Sequence, residues 1–259
     1  MENLRDMWLR SGIEKDDTVL IHSNIGRTII EYNRVHQKRI GPIDVLESFL
    51  EAVGPQGTLL FPLFNFDFTK GHLFDVRSTP SHMGALTESA RTHPDAVRTG
   101  HPIYSFCALG KNSKLFEGVD NRSAFSNESP FGILRKLNGK IAVLDLEETN
   151  SMTFYHYIEE VNQVDYRYFK DFSGQYTDAN GNTSERLYSI FVRDLEQRVV
   201  SNSNQAGELL WLEGLYEGCR PNKGTGLRVI QSQKVFDFVS SLITDGKAEG
   251  TLFKYGDIQ

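Results

Sequence analysis

The sequence predicts an α/β protein. Three observations carry this. Apolar runs at residues 18–21, 58–61 and 141–144 read as buried strands. Helical patterns lie between them, one opened by Gly41-Pro42 and closed by Gly54-Pro55. Asn180-Gly181 sits between two runs that alternate aromatic and polar residues, which is a hairpin signal. Strands alternating with helices point to a layered α/β core.

Each element follows in order. Residues 2–12 form a short helical pattern that ends at Gly12, and residues 18–21 form the first strand. Residues 22–28 then read as a loop at the strand's C-terminal end. Small residues, Gly26 and Arg27 suit it to an anion, because backbone N–H groups can approach closely and arginine can pair with phosphate. A helix over residues 42–50 leads to the strand at 58–61. Residues 62–80 form a long aromatic loop, and 83–91 a helix. The second half of 96–110 is a strand. Ser129-Pro130 opens a helix that Asn138-Gly139 ends, and the strand at 141–144 follows. The expected hairpin spans 166–177 and 183–193. A helix at 205–216, a strand at 227–230 and a helix at 235–242 complete the chain. No repeat, low-complexity tract or linker interrupts it. One domain over 1–259 is expected, with 160–205 as a hairpin-containing subregion.

Composition narrows the function. The chain has 259 residues, 39% of them hydrophobic, enough for a sizeable core. Net charge is −6 and no basic stripe occurs, which argues against a nucleic-acid partner. No apolar run is long enough to span a membrane. The charged N-terminus lacks the apolar core of a signal peptide. Cys107 and Cys219 are far apart and fit no metal spacing, so free thiols in a reducing compartment, by default the cytoplasm, are expected.

The chemistry concentrates in the helical pattern after residue 151. His156 and Glu159 are three residues apart and share a helix face, with Thr153 one turn back. A carboxylate beside a histidine fixes its tautomer and raises its basicity. That pair can take a proton from a nucleophile near neutral pH.

Four stretches, in this order and spacing, resemble the aminoglycoside 3-N-acetyltransferase family. They are Val19-Leu20-Ile21-His22-Ser23, and residues 54–62. Next comes Arg98-Thr99-Gly100-His101-Pro102, with Ser105-Phe106 and Ala108-Leu109-Gly110. The last is Ser129-Pro130 followed by Thr153-x-x-His156-x-x-Glu159. The agreement runs from about residue 4 to 172 and more loosely to 243.

The resemblance implies a three-layer α/β/α sandwich around a mixed central sheet. It implies an N-acyltransferase that moves acetyl from acetyl-coenzyme A to an amine of an amino sugar or aminoglycoside, by direct attack and without a metal. On it, His156 is the general base and Glu159 orients it. His22, Ser23, Asn24, Gly26 and Arg27 lie along the coenzyme A phosphates, and Ser129 and Thr153 line the same groove. Asp67, Glu88 and Asp194 are candidates to hold a cationic substrate. A monomer or homodimer is expected. The sequence departs from the family where members often carry Gly-x-Gly. Here Asp145-Leu146-Glu147-Glu148 stands instead, with Glu147 and Glu148 expected either at a solvated helix entry or beside the pocket, where they would suit a cationic substrate.

Two readings from other classes compete. One is a metal-dependent hydrolase with His156, Glu159, His22 and His101 as scattered ligands. The other is a member that keeps the fold and binds a ligand without catalysis.

Overall fold

The computed structural model describes residues 3–221 and 226–256. The first helix, α1 (Leu4–Arg10), starts at Asn3, whose side chain accepts the Asp6 N–H. It stops before Gly12, where φ is +106°, a conformation glycine takes without a Cβ penalty. Strand β1 (Thr18–Ser23) feeds α2 (Ile25–His36); its first turn falls in the stretch 22–28 expected as loop, and the rest of it carries no expected element. Its apolar side, Ile25 with Ile29 and Tyr32, faces the core, but only Ile25 is fully buried and most of the other residues are polar, so no long apolar run marks the helix. Helix α3 (Pro42–Val53) is opened by Pro42 and precedes β2 (Thr58–Pro62).

The aromatic loop carries the short strand β3 (Phe74–Asp75) and leads to α4 (Ala85–Arg91). Then come β4 (Val97–Arg98), β5 (Phe106–Gly110), α5 (Pro130–Lys136), β6 (Lys140–Leu144) and α6 (Phe154–Val161). The hairpin is β7 (Arg167–Thr177) and β8 (Thr183–Arg193). Last come β9 (Val199–Ser201), α7 (Asn204–Leu212), β10 (Glu217–Gly218), β11 (Leu227–Gln231), α8 (Ser232–Thr244) and β12 (Phe253–Tyr255).

The main sheet has seven strands in the order β10-β11-β6-β1-β2-β5-β4. β1 runs parallel to β2 and β6, while β11 and β5 join antiparallel. The sheet is therefore mixed. Side chains alternate between its faces, as a two-residue period requires. Val19, Ile21, Leu59, Phe61, Ala142 and Leu144 join one core with Trp8 of α1, Phe49 of α3 and Leu86 of α4. Leu20, Leu60, Ile141 and Val143 join the other core, with α5, α6, α7 and α8. Helices on both faces make the three-layer α/β/α sandwich. Central parallel strands covered on both sides read as continuous apolar runs, which is why they were legible.

The hairpin pairs without a bulge from Arg167↔Arg193 to Thr177↔Thr183. Its turn is closed by Asp178, whose carboxylate accepts the N–H groups of Asn180 and Asn182. With β3 it forms a second, three-stranded sheet packed on the α6 side of the molecule. Cys107 and Cys219 are both free thiols, and Cys107 is buried. Among the described residues no helix is long and apolar enough to cross a membrane.

Candidate active site

Phe154, Tyr157 and Ile158 recur at i, i+3 and i+4, and this stripe packs α6 against the core. The stripe fixes where His156 and Glu159 point. His156 Nδ1 lies 2.8 Å from Glu159 Oε2, an i, i+3 contact. Glu159 is 2% exposed and is held by two further groups from the hairpin side. The Tyr166 hydroxyl donates to Oε1 at 3.1 Å. Arg167 Nε stands 2.7 Å from Oε2, an ion-pair distance without hydrogen-bond alignment. Burial would raise the Glu159 pKa, but Arg167, His156 and Tyr166 outweigh it and hold it below the usual value. Glu159 is therefore ionised and can only accept, so Nδ1 of His156 carries the hydrogen.

Burial, and then the charge of Arg167, lower the His156 pKa; Glu159 opposes them without prevailing. The neutral imidazole dominates at pH 7, with Nε2 free of a proton. That nitrogen is the one able to act as base. The ring is enclosed by protein but keeps 27% of its side-chain surface accessible, and Phe125 meets it edge to face at 5.4 Å.

Two cavities meet at His156. One, of about 350 Å³, lies under the hairpin and is walled by Tyr104, Phe125, Arg167, Lys170 and Arg193 among others. The second, about 100 Å³, runs along the start of α6 past Asn150, Thr153 and Glu159. His156 and Ser201 line both. A larger cavity, about 630 Å³ beside Asp120 and Glu128, does not include His156, so volume alone does not mark the chemistry.

The family model described as aminoglycoside 3-N-acetyltransferase matches residues 30–243. The chain belongs to this family. It is 23% identical over 167 residues to the SPbeta prophage-derived aminoglycoside N(3')-acetyltransferase-like protein YokD of Bacillus subtilis (strain 168). That match covers 56% of this chain and 59% of the relative. The crystal structure of aminoglycoside acetyltransferase AAC(3)-Xa superposes with a TM-score of 0.77 at 22% identity, covering 96% of this chain and 92% of that one. A structure described as AAC-IIIb binary with CoASH gives 0.77 at 18% identity, covering 98% and 97%. These likenesses establish that the sandwich is the one the aminoglycoside 3-N-acetyltransferase family uses.

Within this family member, the residues expected at the site fall into three groups. His156, Glu159 and Thr153 stand together on the small cavity. Asn24, Gly26 and Arg27 are exposed at the start of α2, where Asn24 caps the helix by accepting the Gly26 N–H at 3.4 Å. Ser23 is half-buried just before them. None of these four lines a cavity that touches His156.

The third group is placed differently from expectation. His22 lies in β1 and is 5% exposed, its pKa pushed down to about 3 by burial and then by Arg228. Its side chain sits inside the sheet–helix layer because alternation puts it on the Leu20 face. Ser129 is 0% exposed and caps α5 by accepting the Gly132 N–H at 3.4 Å, so it does not line a groove. Asp67 is taken by Lys70 and His82, at 3.1 and 3.4 Å. Glu88 pairs with Arg91 at 2.8 Å, and Asp194 accepts the backbone N–H groups of Glu196 and Gln197. All three stabilise local turns or helices, and none lines the cavities at His156.

The stretch in place of the family's glycines also resolves. Asp145 adopts φ +54°, a conformation glycine takes freely, and is anchored by Thr28 and by the Gly226 N–H, both at 2.7 Å. Glu147 is exposed. Glu148 is neither solvated nor at the pocket. It is 0% exposed and bonds Tyr155 at 2.5 Å, Tyr216 at 2.7 Å and Arg228 at 3.0 Å.

Sequence reading missed Tyr166, Arg167, Tyr104, Phe125 and Ser201. Each is brought to His156 by tertiary packing alone. The one local signal was a charged Arg167 at the start of an aromatic strand. Among the described residues no three His, Cys, Asp or Glu side chains converge as a group that could hold a metal ion.

Proposed function

We propose that this chain is an acyl-coenzyme A-dependent N-acyltransferase, moving acetyl from acetyl-coenzyme A to an amine of the amino-sugar or aminoglycoside class. The observation that carries this is the 2.8 Å bond from His156 Nδ1 to a buried, ionised Glu159, at the point where two cavities meet. Family membership and the CoASH-bound state of AAC-IIIb support the donor.

The reaction balances with these groups. The amine lone pair attacks the thioester carbonyl carbon, and the amine proton passes to His156 Nε2. The C–S bond breaks, and the thiolate leaves with the proton that the imidazolium returns. Glu159 stabilises that imidazolium and holds its orientation. Both substrates occupy the protein together, with no acyl-enzyme between them. The test is initial-rate kinetics with acetyl-coenzyme A and a panel of amino sugars and aminoglycosides. Intersecting lines are expected. Parallel lines with a trapped acyl-protein would replace direct attack by a covalent route.

A further inference from the structure

The 350 Å³ cavity on His156 has an uneven charge. Arg167, Lys170 and Arg193 line it, and no Asp or Glu does. Arg167 is already engaged, with Glu159 at 2.7 Å and with the Phe191 carbonyl through Nη1 at 3.1 Å. Lys170 and Arg193 have no carboxylate partner among the described residues; Lys170 rests 5.5 Å over the Phe172 ring. They reach the cavity from the two strands of the hairpin, β7 and β8. The wall around them is largely aromatic or aliphatic, including Tyr104, Phe125 and Phe191. Arg193 is near enough for its charge to act on His156.

Like charges gathered beside low-dielectric walls repel one another and attract an anion. The same wall repels a polycation. The volume is at the small end of ligand cavities, which run roughly 300–1,000 Å³, and so suits a compact acceptor.

We propose that the acceptor amine carries an anionic group, a phosphate or a carboxylate, which Lys170 and Arg193 bind while its amino group faces His156. This rests on the reading of His156 as the base that meets the acceptor. It reverses the charge class implied by Asp67, Glu88 and Asp194, whose carboxylates are spent elsewhere.

The experiment uses the full chain with four probes: glucosamine, glucosamine 6-phosphate, glucosaminic acid and the polycation sisomicin. Calorimetry in the presence of coenzyme A measures binding, and thioester consumption measures turnover. One or both anionic amines should bind at least tenfold more tightly than glucosamine, and comparing the two separates phosphate from carboxylate. Lys170→Glu and Arg193→Glu are on exposed positions and should fold. Each should cut that preference by about tenfold or more, the worth of a charged hydrogen bond. Equal binding of all four, or tighter binding of sisomicin, overturns the proposal. So does an acetyl-coenzyme A KM that rises tenfold in these variants while the preference stays, since the cations would then serve the donor. Binding is read again in His156→Gln. Retained preference there with no turnover by the wild type would sink the catalytic reading and leave the anion site standing.

Discussion

Arg167 Nε stands 2.7 Å from Glu159 Oε2, the same oxygen that holds His156 at 2.8 Å. One buried carboxylate thus answers two cations, or one cation and one neutral ring. Arg167 keeps Glu159 ionised and, through its own charge, discourages a proton on His156. The arrangement favours a base that is oriented yet unprotonated at neutral pH.

The pH dependence of kcat/KM should report this. The acid limb, where His156 gains its proton, should lie below 6.5, the ordinary histidine value. Replacing Arg167 by Gln removes a positive charge that disfavours imidazolium. His156 becomes easier to protonate, and the limb should move to higher pH. A limb that stays put or moves down would show that Arg167 does not govern the base.

His156→Gln should lower kcat by roughly 10²–10⁴, the usual worth of acid–base catalysis, with acetyl-coenzyme A binding retained. Glu159→Gln should cost less activity but more stability. It leaves Arg167, whose side chain is only 6% exposed, without its counter-ion. Breaking such a pair costs about 3–5 kcal/mol, readable by denaturant unfolding. Unchanged stability would mean that water already solvates Arg167.

Ser129 and Arg27 should separate cleanly. Ser129→Ala removes a buried helix cap and should cost about 1 kcal/mol of stability, with the acetyl-coenzyme A KM where it was. Arg27→Ala, at the exposed start of α2, should leave stability alone and weaken coenzyme A binding by about 1–3 kcal/mol. Calorimetry that finds Arg27→Ala binding coenzyme A as the wild type does would place the phosphates elsewhere.

Acid should destabilise the fold through its buried histidines. His22 and His101 are held at about 3 by burial, against 6.5 when unfolded. The unfolded chain therefore binds more protons between pH 6.5 and 3. Stability is fully present above 6.5 and falls as pH drops, by about 1.4 kcal/mol per pH unit for each histidine. Glu160, raised to about 6 by burial, acts in the opposite sense between pH 6 and 4.5. The decline attributable to these groups should be shallower in that window than below it. Unfolding curves from pH 7 to 4 for the wild type and His101→Asn check this; the variant should lose one histidine's share of the slope.

The sequence by itself determined the strands, the hairpin and the His156–Glu159 pair. These rest on local geometry. A buried strand shows as a run of apolar residues, as at 18–21 and 141–144, and a helix brings residues three apart together whatever surrounds them. It did not mark α2, whose composition is mostly polar and which buries only Ile25 fully, so that its docking depends on the segments it meets. Nor could it show that His22, Ser129 and Glu148 are sealed from solvent, because burial depends on which distant segments cover them. Arg228 reaches Glu148 across 80 residues, and the hairpin returns Arg167 to Glu159 and Arg193 to the His156 cavity. The placing of His156 beside a carboxylate was local. The ring's pKa, its partners and the charge of the space in front of it were decided only when the chain closed on itself, because electrostatic energy depends on distance in space and on dielectric, neither of which the order of residues states.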